Sequence, residues 1–442
     1  MRPFFHHLNR HLSGGRSASP FIAWAREQAL SFEARERVYD EQFARLDLLL
    51  AHKRIVYLGE EDHWIHEKND MRLLFLRYLF SRGWRYIGEE LGYSDGLRID
   101  HYLETGDEAS LERIATYSYE GARRSDRDDT PTGILKESHD RYPVQAFAQE
   151  QRWLAKALRS LQEQQSPDSP RLHFFGYDID ALAGGGYEDL ATLLHPYQSE
   201  PVIRALNALL SRVAYETVEQ EITRLHRAEE FIVSQQAVLQ SLLGPDDIER
   251  LMHWTRALRE SFAFIQVAHP ATTLATLNEA MAAREETMGR HVRAVLSHMK
   301  PEEKLVLMGH NRHLAKEGTR IKQAVGAGPG GSRVPPLGTM LKRLFPGQVF
   351  AIWMLHDHGR SSQPFGDLSD RYVSRPGSLN ALLAEVGSNY LLPTQTNDSR
   401  ARLLSRDQEI VGLYNLPFYA SIAQQADALF FVRKVGPLGP RG

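Results

Sequence analysis

Four short polar clusters carry side chains suited to proton transfer and carbonyl polarisation. The first is Gly59-Glu60-Glu61-Asp62-His63, with His66 and Glu67 just beyond. The second is Glu89-Glu90, the third Asp178, and the fourth Gly309-His310-Asn311-Arg312-His313. A histidine beside a carboxylate can take a proton from water at neutral pH. A second histidine can act as the acid or steady a developing oxyanion. An arginine can do the latter with its fixed fork of donors. Such a set suits hydrolysis of a neutral carbonyl compound. His356-Asp-His358 is a further polar group after an apolar run, read either as a ligand pair or as an exposed polar turn.

These clusters share a position: each follows a predicted strand. Arg54-Ile-Val-Tyr-Leu-Gly59 is a short, β-branched apolar run closed by glycine. It reads as a buried strand followed by a tight turn. Residues 65–82 have helical spacing, with Met71, Leu74, Phe75, Tyr78 and Leu79 on one stripe and Gly83 as the stop. Arg85-Tyr-Ile-Gly-Glu-Glu90 reads as the next strand, completing a βαβ unit. Arg171-Leu-His-Phe-Phe-Gly-Tyr-Asp178 and Lys304-Leu-Val-Leu-Met308 read as strands too, as do 348–355 and 428–435. In an open α/β sheet the ligand site lies outside the carboxyl ends of the strands, so the polar ends converge on one crevice.

The remaining chain is assigned around that sheet. Residues 16–53 read as helical. Residues 121–140 read as a surface loop, 144–162 as a helix, 165–170 as a linker and 184–186 as a loop. Residues 198–299 read as almost wholly helical, broken at Gly244-Pro245 and His269-Pro270. Residues 324–338 hold five glycines and three prolines and are expected to border the site entrance. The fold class is therefore α/β: an open, mostly parallel central sheet flanked by helices, with a long inserted helical layer or cap. The expected organisation is an N-terminal helical extension over 1–50 and one catalytic domain over 51–435. That domain includes a helical insertion over 190–300, and 436–442 form a flexible tail.

Composition narrows the chemistry. The 442 residues are 42% hydrophobic and 25% charged, ordinary for a globular chain with a large core. Lysine plus arginine number 53 against 56 acidic residues, a net charge of −3. That near-balance gives no global pull toward nucleic acid or an anionic membrane. No cysteine is present, which excludes disulfides, cysteine zinc sites, iron–sulfur centres and a cysteine nucleophile. Residues 1–20 do not read as a signal peptide, and no apolar run approaches a membrane span, so the expected location is the cytoplasm. No Gly-x-Ser-x-Gly elbow, Walker A sequence or Gly-x-Gly-x-x-Gly after the first strand appears.

In order along the chain, the same residues resemble the erythromycin esterase family. Leu58-Gly-Glu-Glu-Asp-His63 with Glu67 is similar to that family's Leu-Gly-Glu-x-x-His-Gly-x-x-Glu opening. Arg72 matches its basic residue on the following helix. Glu90-Leu-Gly-Tyr-Ser-Asp-Gly-Leu resembles its Glu-x-Gly-Trp/Tyr segment, and Phe175-Gly-Tyr-Asp178 its Phe-Gly-Phe-Asp. Arg284-Glu285 with Met288 resembles Arg-Asp-x-x-Met, His310-Asn-Arg-His313 resembles His-Asn-x-His, and Asp427-Ala-Leu-Phe resembles the closing strand. Two departures stand out: Trp64 replaces the glycine after the first histidine, and Glu285 replaces aspartate.

The resemblance implies hydrolysis of an ester or lactone by activated water, with no cofactor. It makes His63 the general base, oriented by Glu60, with His310 and Glu90 completing the catalytic group. His313, Arg72, Arg284, Glu67, Asp178 and Asn311 are the expected substrate or oxyanion binders. The expected partner is a small ester or lactone, without nucleic acid or membrane. Two alternatives share the scaffold: a metal-dependent hydrolase, and a non-catalytic or transferase protein of polysaccharide or secondary metabolism.

Overall fold

A computed structural model describes residues 19–32, 40–112, 114, 144–166, 169–180, 186–211, 216–268, 274–323, 334–362, 371–412 and 415–439. The expected loop at 121–140 and most of the one at 324–338 lie outside these residues, as do 184–185 and the end of the tail.

In chain order the strands are β1 (Leu30–Ser31), β2 (Ile55–Glu60), β3 (Tyr86–Gly92), β4 (His173–Asp178), β5 (Leu305–His310) and β6 (Lys322–Gln323). They continue as β7 (Val349–Arg360), β8 (Arg371–Val373), β9 (Asn389–Pro393), β10 (Gln408–Val411), β11 (Pro417–Ala420) and β12 (Ala428–Val435). The main sheet runs β1-β9-β12-β7-β2-β5-β3-β4, with β8 paired to β7. Its centre is parallel, from β12 through β7, β2, β5 and β3 to β4, and β1, β9 and β8 add antiparallel edges. Strands β10, β11 and β6 form a small antiparallel sheet.

The central strands are apolar on both faces because helices cover both. Along β2, Val56 and Leu58 enter one core, with α2 (Asp40–Leu50), α3 (Glu67–Ser81) and a long helix over Val144–Glu163. Ile55 and Tyr57 point the other way, into a second core with α1 (Ser19–Gln28) and the helices Leu274–His298 and Leu337–Leu344. Helix α3 ends where expected, with Gly83 in the left-handed conformation at φ 83°.

Among the described residues, 190–300 hold helices and the short turns between them, and no strand. For the elements that bear on the site, α4 is Tyr93–Thr105, α5 is Pro245–Ala268 and α6 is Leu274–His298. The insertion has a core of its own, built from residues such as Leu190, Ile203, Leu225, Leu251 and Leu258.

The continuous helix read over 16–53 is corrected. Leu30 and Ser31 leave the helix to pair with Leu391 and Tyr390 of β9. Phe32 then packs on Phe75 and Phe430 at ring distances of 6.2 and 5.8 Å. Edge pairing and aromatic burial outweigh local helical spacing there. The first strand also runs one residue past Gly59, so Glu60 belongs to β2, and the strand begun at 304 runs on to His310.

Candidate active site

Four neighbouring parallel strands bring their polar ends together. Glu60 sits in register with His310, Glu89 with Met308, and Gly92 with Asp178. The turn after β2 carries His63 back over this edge, and its ring centroid lies 5.3 Å from that of His310.

His63 is fixed at one nitrogen. Its Nδ1 is 2.7 Å from Glu60 Oε1, and a carboxylate accepts, so Nδ1 carries the hydrogen. Nε2 is left facing Glu90 Oε1 at 3.9 Å, and the side chain retains 14% exposure. Glu60 is itself buried, and burial alone would raise its carboxyl. Arg72, Lys68 and His63 outweigh that burial and hold it at about 2, from an ordinary 4.5. Glu60 is thus a permanent anion that orients the ring of His63.

Arg72, expected at the substrate, instead lies beneath this pair. Its guanidinium is 2.5 Å from Glu60 and 2.5 Å from Glu89, and it is 1% exposed. Gln151 also donates to Glu89 at 2.7 Å. Lys68 is buried 3.8 Å from Glu60, with its ammonium over the Phe147 ring. Spacing along α3 pointed Arg72 toward the site but did not reveal its burial.

Glu90 is the hub. Oε2 accepts the His310 backbone N–H at 2.7 Å. Oε1 accepts from Arg284 Nη2 at 2.9 Å and lies 3.3 Å from His313 Nε2. Burial would raise Glu90, but His313, His63, Arg284 and His310 together hold it well below the usual carboxylate range. Arg284, from α6, also donates through Nε to Asp178 at 2.9 Å and pairs with it through Nη2. Asp178 therefore anchors the arginine at the end of β4.

The two histidines of His310-Asn-Arg-His313 differ. His310 Nε2 is 3.0 Å from the Glu61 carbonyl, which can only accept, and its Nδ1 accepts from the Arg312 amide at 3.3 Å. Burial, with His63 nearby, drives its basicity down to about 3. His310, expected in the catalytic group, is therefore a neutral ring tied to the backbone at both nitrogens. His313 has the opposite setting. Its Nδ1 is 2.5 Å from Glu285 Oε1, and burial, which would lower it, is overcome by Glu285 and Glu90, so its basicity is raised.

The other expected residues are placed as follows. Asn311 is buried and donates to Glu61 at 2.7 Å and to the Met354 carbonyl at 2.9 Å, tying the turn to its neighbours. Glu67 accepts the Gly436 amide at 2.9 Å and holds the chain after β12. His66 binds Glu150 at 2.5 Å. Trp64 is buried edge-on against Phe147, at 5.3 Å, within the first core. His356 is buried with its ring 4.3 Å from Tyr372, whereas His358 is half-buried and bonded to Asp357. They do not act as a pair. Glu285 is not among the expected site residues; its sequence signal is its place beside Arg284, at the aspartate of the Arg-Asp-x-x-Met pattern.

Among the described residues, no group of three or more His, Asp or Glu is arranged to hold a metal ion. The donor chemistry agrees, since Glu60 and Glu90 are already engaged by Arg72, Lys68 and Arg284. A cavity of about 340 Å³ lies elsewhere, between α4, β4 and the insertion helices α5 and α6, with Tyr93, Phe175, His253 and His291 in its wall. No helix of the described residues is long and apolar enough to cross a membrane.

Comparison with known proteins adds an independent line. A family model described as erythromycin esterase matches residues 81–435. An erythromycin esterase type II from Escherichia coli is 21% identical over 343 residues, 69% of this chain and 74% of that protein. A solved protein described as a succinoglycan biosynthesis protein has a TM-score of 0.67 at 16% identity, covering 96% of this chain and 99% of its own. A mutant erythromycin esterase in its open conformation has a TM-score of 0.61 at 19% identity, covering 91% of this chain and 96% of its own. At these identities the structural likenesses show the fold alone.

Proposed function

The chain belongs to the erythromycin esterase family, and from that premise we propose that it is a hydrolase that opens an ester or lactone with water activated by His63. The observation that carries the reading is the Glu60–His63 pair, 2.7 Å apart, with Nε2 turned toward Glu90. His63 Nε2 takes a proton from water, and the resulting hydroxide attacks the substrate carbonyl. Glu60 holds the ring and stabilises the imidazolium that forms. Arg284 and His313 supply positive charge for the oxyanion. Arg72 and Lys68 act on Glu60 and not on the substrate.

The proposed substrate is a small ester or lactone, with macrolides as its first test, and the proposed location is the cytoplasm. The experiment is turnover of an ester and lactone panel, including a macrolide, by wild type and His63→Ala. The variant is expected to lose about 10²–10⁴-fold in kcat while keeping its circular dichroism spectrum. Wild-type kcat in the variant overturns the base assignment, and failure to fold makes His63 a structural histidine. A second reading, a protein of polysaccharide metabolism, draws on the likeness to the succinoglycan biosynthesis protein. It predicts no turnover across the panel and retained binding of an oligosaccharide.

A further inference from the structure

The site holds two carboxylate–histidine pairs, and the hydrolase reading above uses the second only as a source of positive charge. The second is Glu285–His313. Glu285 Oε1 is 2.5 Å from His313 Nδ1, and its Oε2 accepts the Leu337 amide at 2.9 Å. The carboxylate is thereby fixed at both oxygens, between α6 and the helix that opens at Leu337. The ring's other nitrogen, Nε2, points back to Glu90 Oε1 at 3.3 Å. That is the same oxygen that His63 Nε2 faces from the other side, at 3.9 Å.

We propose that Glu285 is a positioning residue that keeps His313 as an imidazolium, and that His313 is the general acid that protonates the departing alkoxide. The proposal rests on the hydrolase reading and completes its proton accounting. His63 removes one proton from water, and the hydroxide forms the new C–O bond. When the tetrahedral intermediate collapses, the ester C–O bond breaks and its electron pair goes to the alkoxide oxygen. His313 Nε2 gives that oxygen its proton. The products are a carboxylic acid, which ionises, and an alcohol. The proton on His63 is released to solvent, and His313 is reprotonated from solvent.

The surroundings support a cationic His313. Glu285 and Arg284 face it from α6, Glu90 from β3 and His310 from its own turn. Arg312, on the same turn, has Glu61 and Glu285 as its charged neighbours. Asp178 holds Arg284 and so draws off part of that competing charge. Two carboxylates therefore outweigh one guanidinium, 3.5 Å away, and a neutral imidazole. His310 cannot replace His313, because both of its nitrogens are bound to the backbone.

The test uses the full chain and has two readouts. The first needs no substrate. The imidazole of His313, labelled with ¹³C at Cε1 and assigned by its loss in His313→Gln, is titrated by NMR. Its midpoint is expected above the ordinary 6.5 and should fall by about 1–2 pH units in Glu285→Gln. A wild-type midpoint at or below the ordinary value overturns the proposal, and it does so even if the Gln variant does not fold. The second readout compares ethyl butyrate, a poor leaving group, with p-nitrophenyl butyrate, which needs no acid. The kcat loss in Glu285→Gln is expected to be about 10²-fold larger for the ethyl ester, with partial recovery in Glu285→Asp. Equal losses on both esters overturn the acid role. If wild type hydrolyses neither ester nor any lactone, the hydrolase reading fails and the general acid falls with it. The NMR midpoint then still decides whether Glu285 holds the imidazolium.

Discussion

Gly96 and Gly176 meet backbone to backbone where α4 crosses β4. A Cβ on Gly96 would stand 1.7 Å from the Gly176 nitrogen and 2.6 Å from its Cα. Gly176 is equally crowded, since a Cβ there would lie 2.1 Å from the Gly92 carbonyl oxygen. Both glycines belong to the segments that end in, or begin with, site carboxylates: Glu90 to Leu97, and Phe175 to Asp178. Their contact sets the spacing of β3 and β4, and through it the separation of Glu90 and Asp178, which share Arg284.

Replacing Gly96 by alanine therefore forces backbone to move, because the obstructing atoms are not a flexible side chain. The expected cost is at the upper end of overpacking, about 3 kcal/mol, read as a lower urea midpoint with unchanged slope. A loss under about 0.5 kcal/mol, the size of an ordinary surface substitution, would mean that α4 shifts freely.

Acid should destabilise the fold through a buried histidine outside the site. His356 is 1% exposed, and among the described residues neither ring nitrogen has a hydrogen-bond partner. Burial holds its basicity at about 4, from an ordinary 6.5. The folded chain thus binds this proton less readily than the unfolded chain. Its contribution to stability is present above about pH 6.5 and is lost as pH falls toward 4. Between pH 7 and 5 this group alone accounts for about 2 kcal/mol of loss. Urea titrations at the two pH values should show a smaller decrease for His356→Leu than for wild type. Equal decreases would assign the acid sensitivity to other groups, with His310 the first to examine.

Much of the site was legible in the sequence because the central strands are apolar runs that stop at a polar residue. Glu60, Glu90, Asp178 and His310 were found that way, and His63 and His313 one turn beyond. What a linear reading does not carry is burial. Arg72, Glu67 and Asn311 have the same residue types as substrate binders, but tertiary packing turns them toward Glu60, Gly436 and Glu61. For Glu285, helical spacing shows that it neighbours Arg284, and not that it reaches a turn 28 residues away. The strands β8 to β11 were missed for a different reason. They are three to five residues long, too short for an alternation pattern to emerge.

Arg72 offers a test that separates support from chemistry. Removing its side chain leaves Glu60 and Glu89 buried without their shared guanidinium. Breaking a buried ion pair in this way costs about 3–5 kcal/mol. Arg72→Ala should lower the urea midpoint sharply, whereas His63→Ala, at a partly exposed position, should change it little. Lysine at position 72 should restore only part of the stability, because one ammonium cannot span both carboxylates as the fork does. If Arg72→Ala were as stable as wild type, the two carboxylates would have to be neutral or hydrated, and the orientation of His63 by an ionised Glu60 would lose its basis.

The carboxylates of the site also bear on metal dependence. Glu60 is flanked by Arg72 and Lys68, and Glu90 by Arg284, with the raised imidazole of His313 on the same oxygen. A divalent cation entering between them would meet these positive charges at a few ångströms, in a buried setting where repulsion is weakly screened. It would also have to displace the ion pairs and hydrogen bonds that these carboxylates already make. Turnover of a responsive ester should therefore survive exhaustive dialysis against a chelator, within about the few-tenths kcal/mol scatter of surface effects. The measurement is kcat before and after dialysis, with metal content read by elemental analysis. Activity lost on dialysis and restored by one added metal would require Arg284 or Lys68 to swing away from its carboxylate, and would favour the metal-dependent hydrolase.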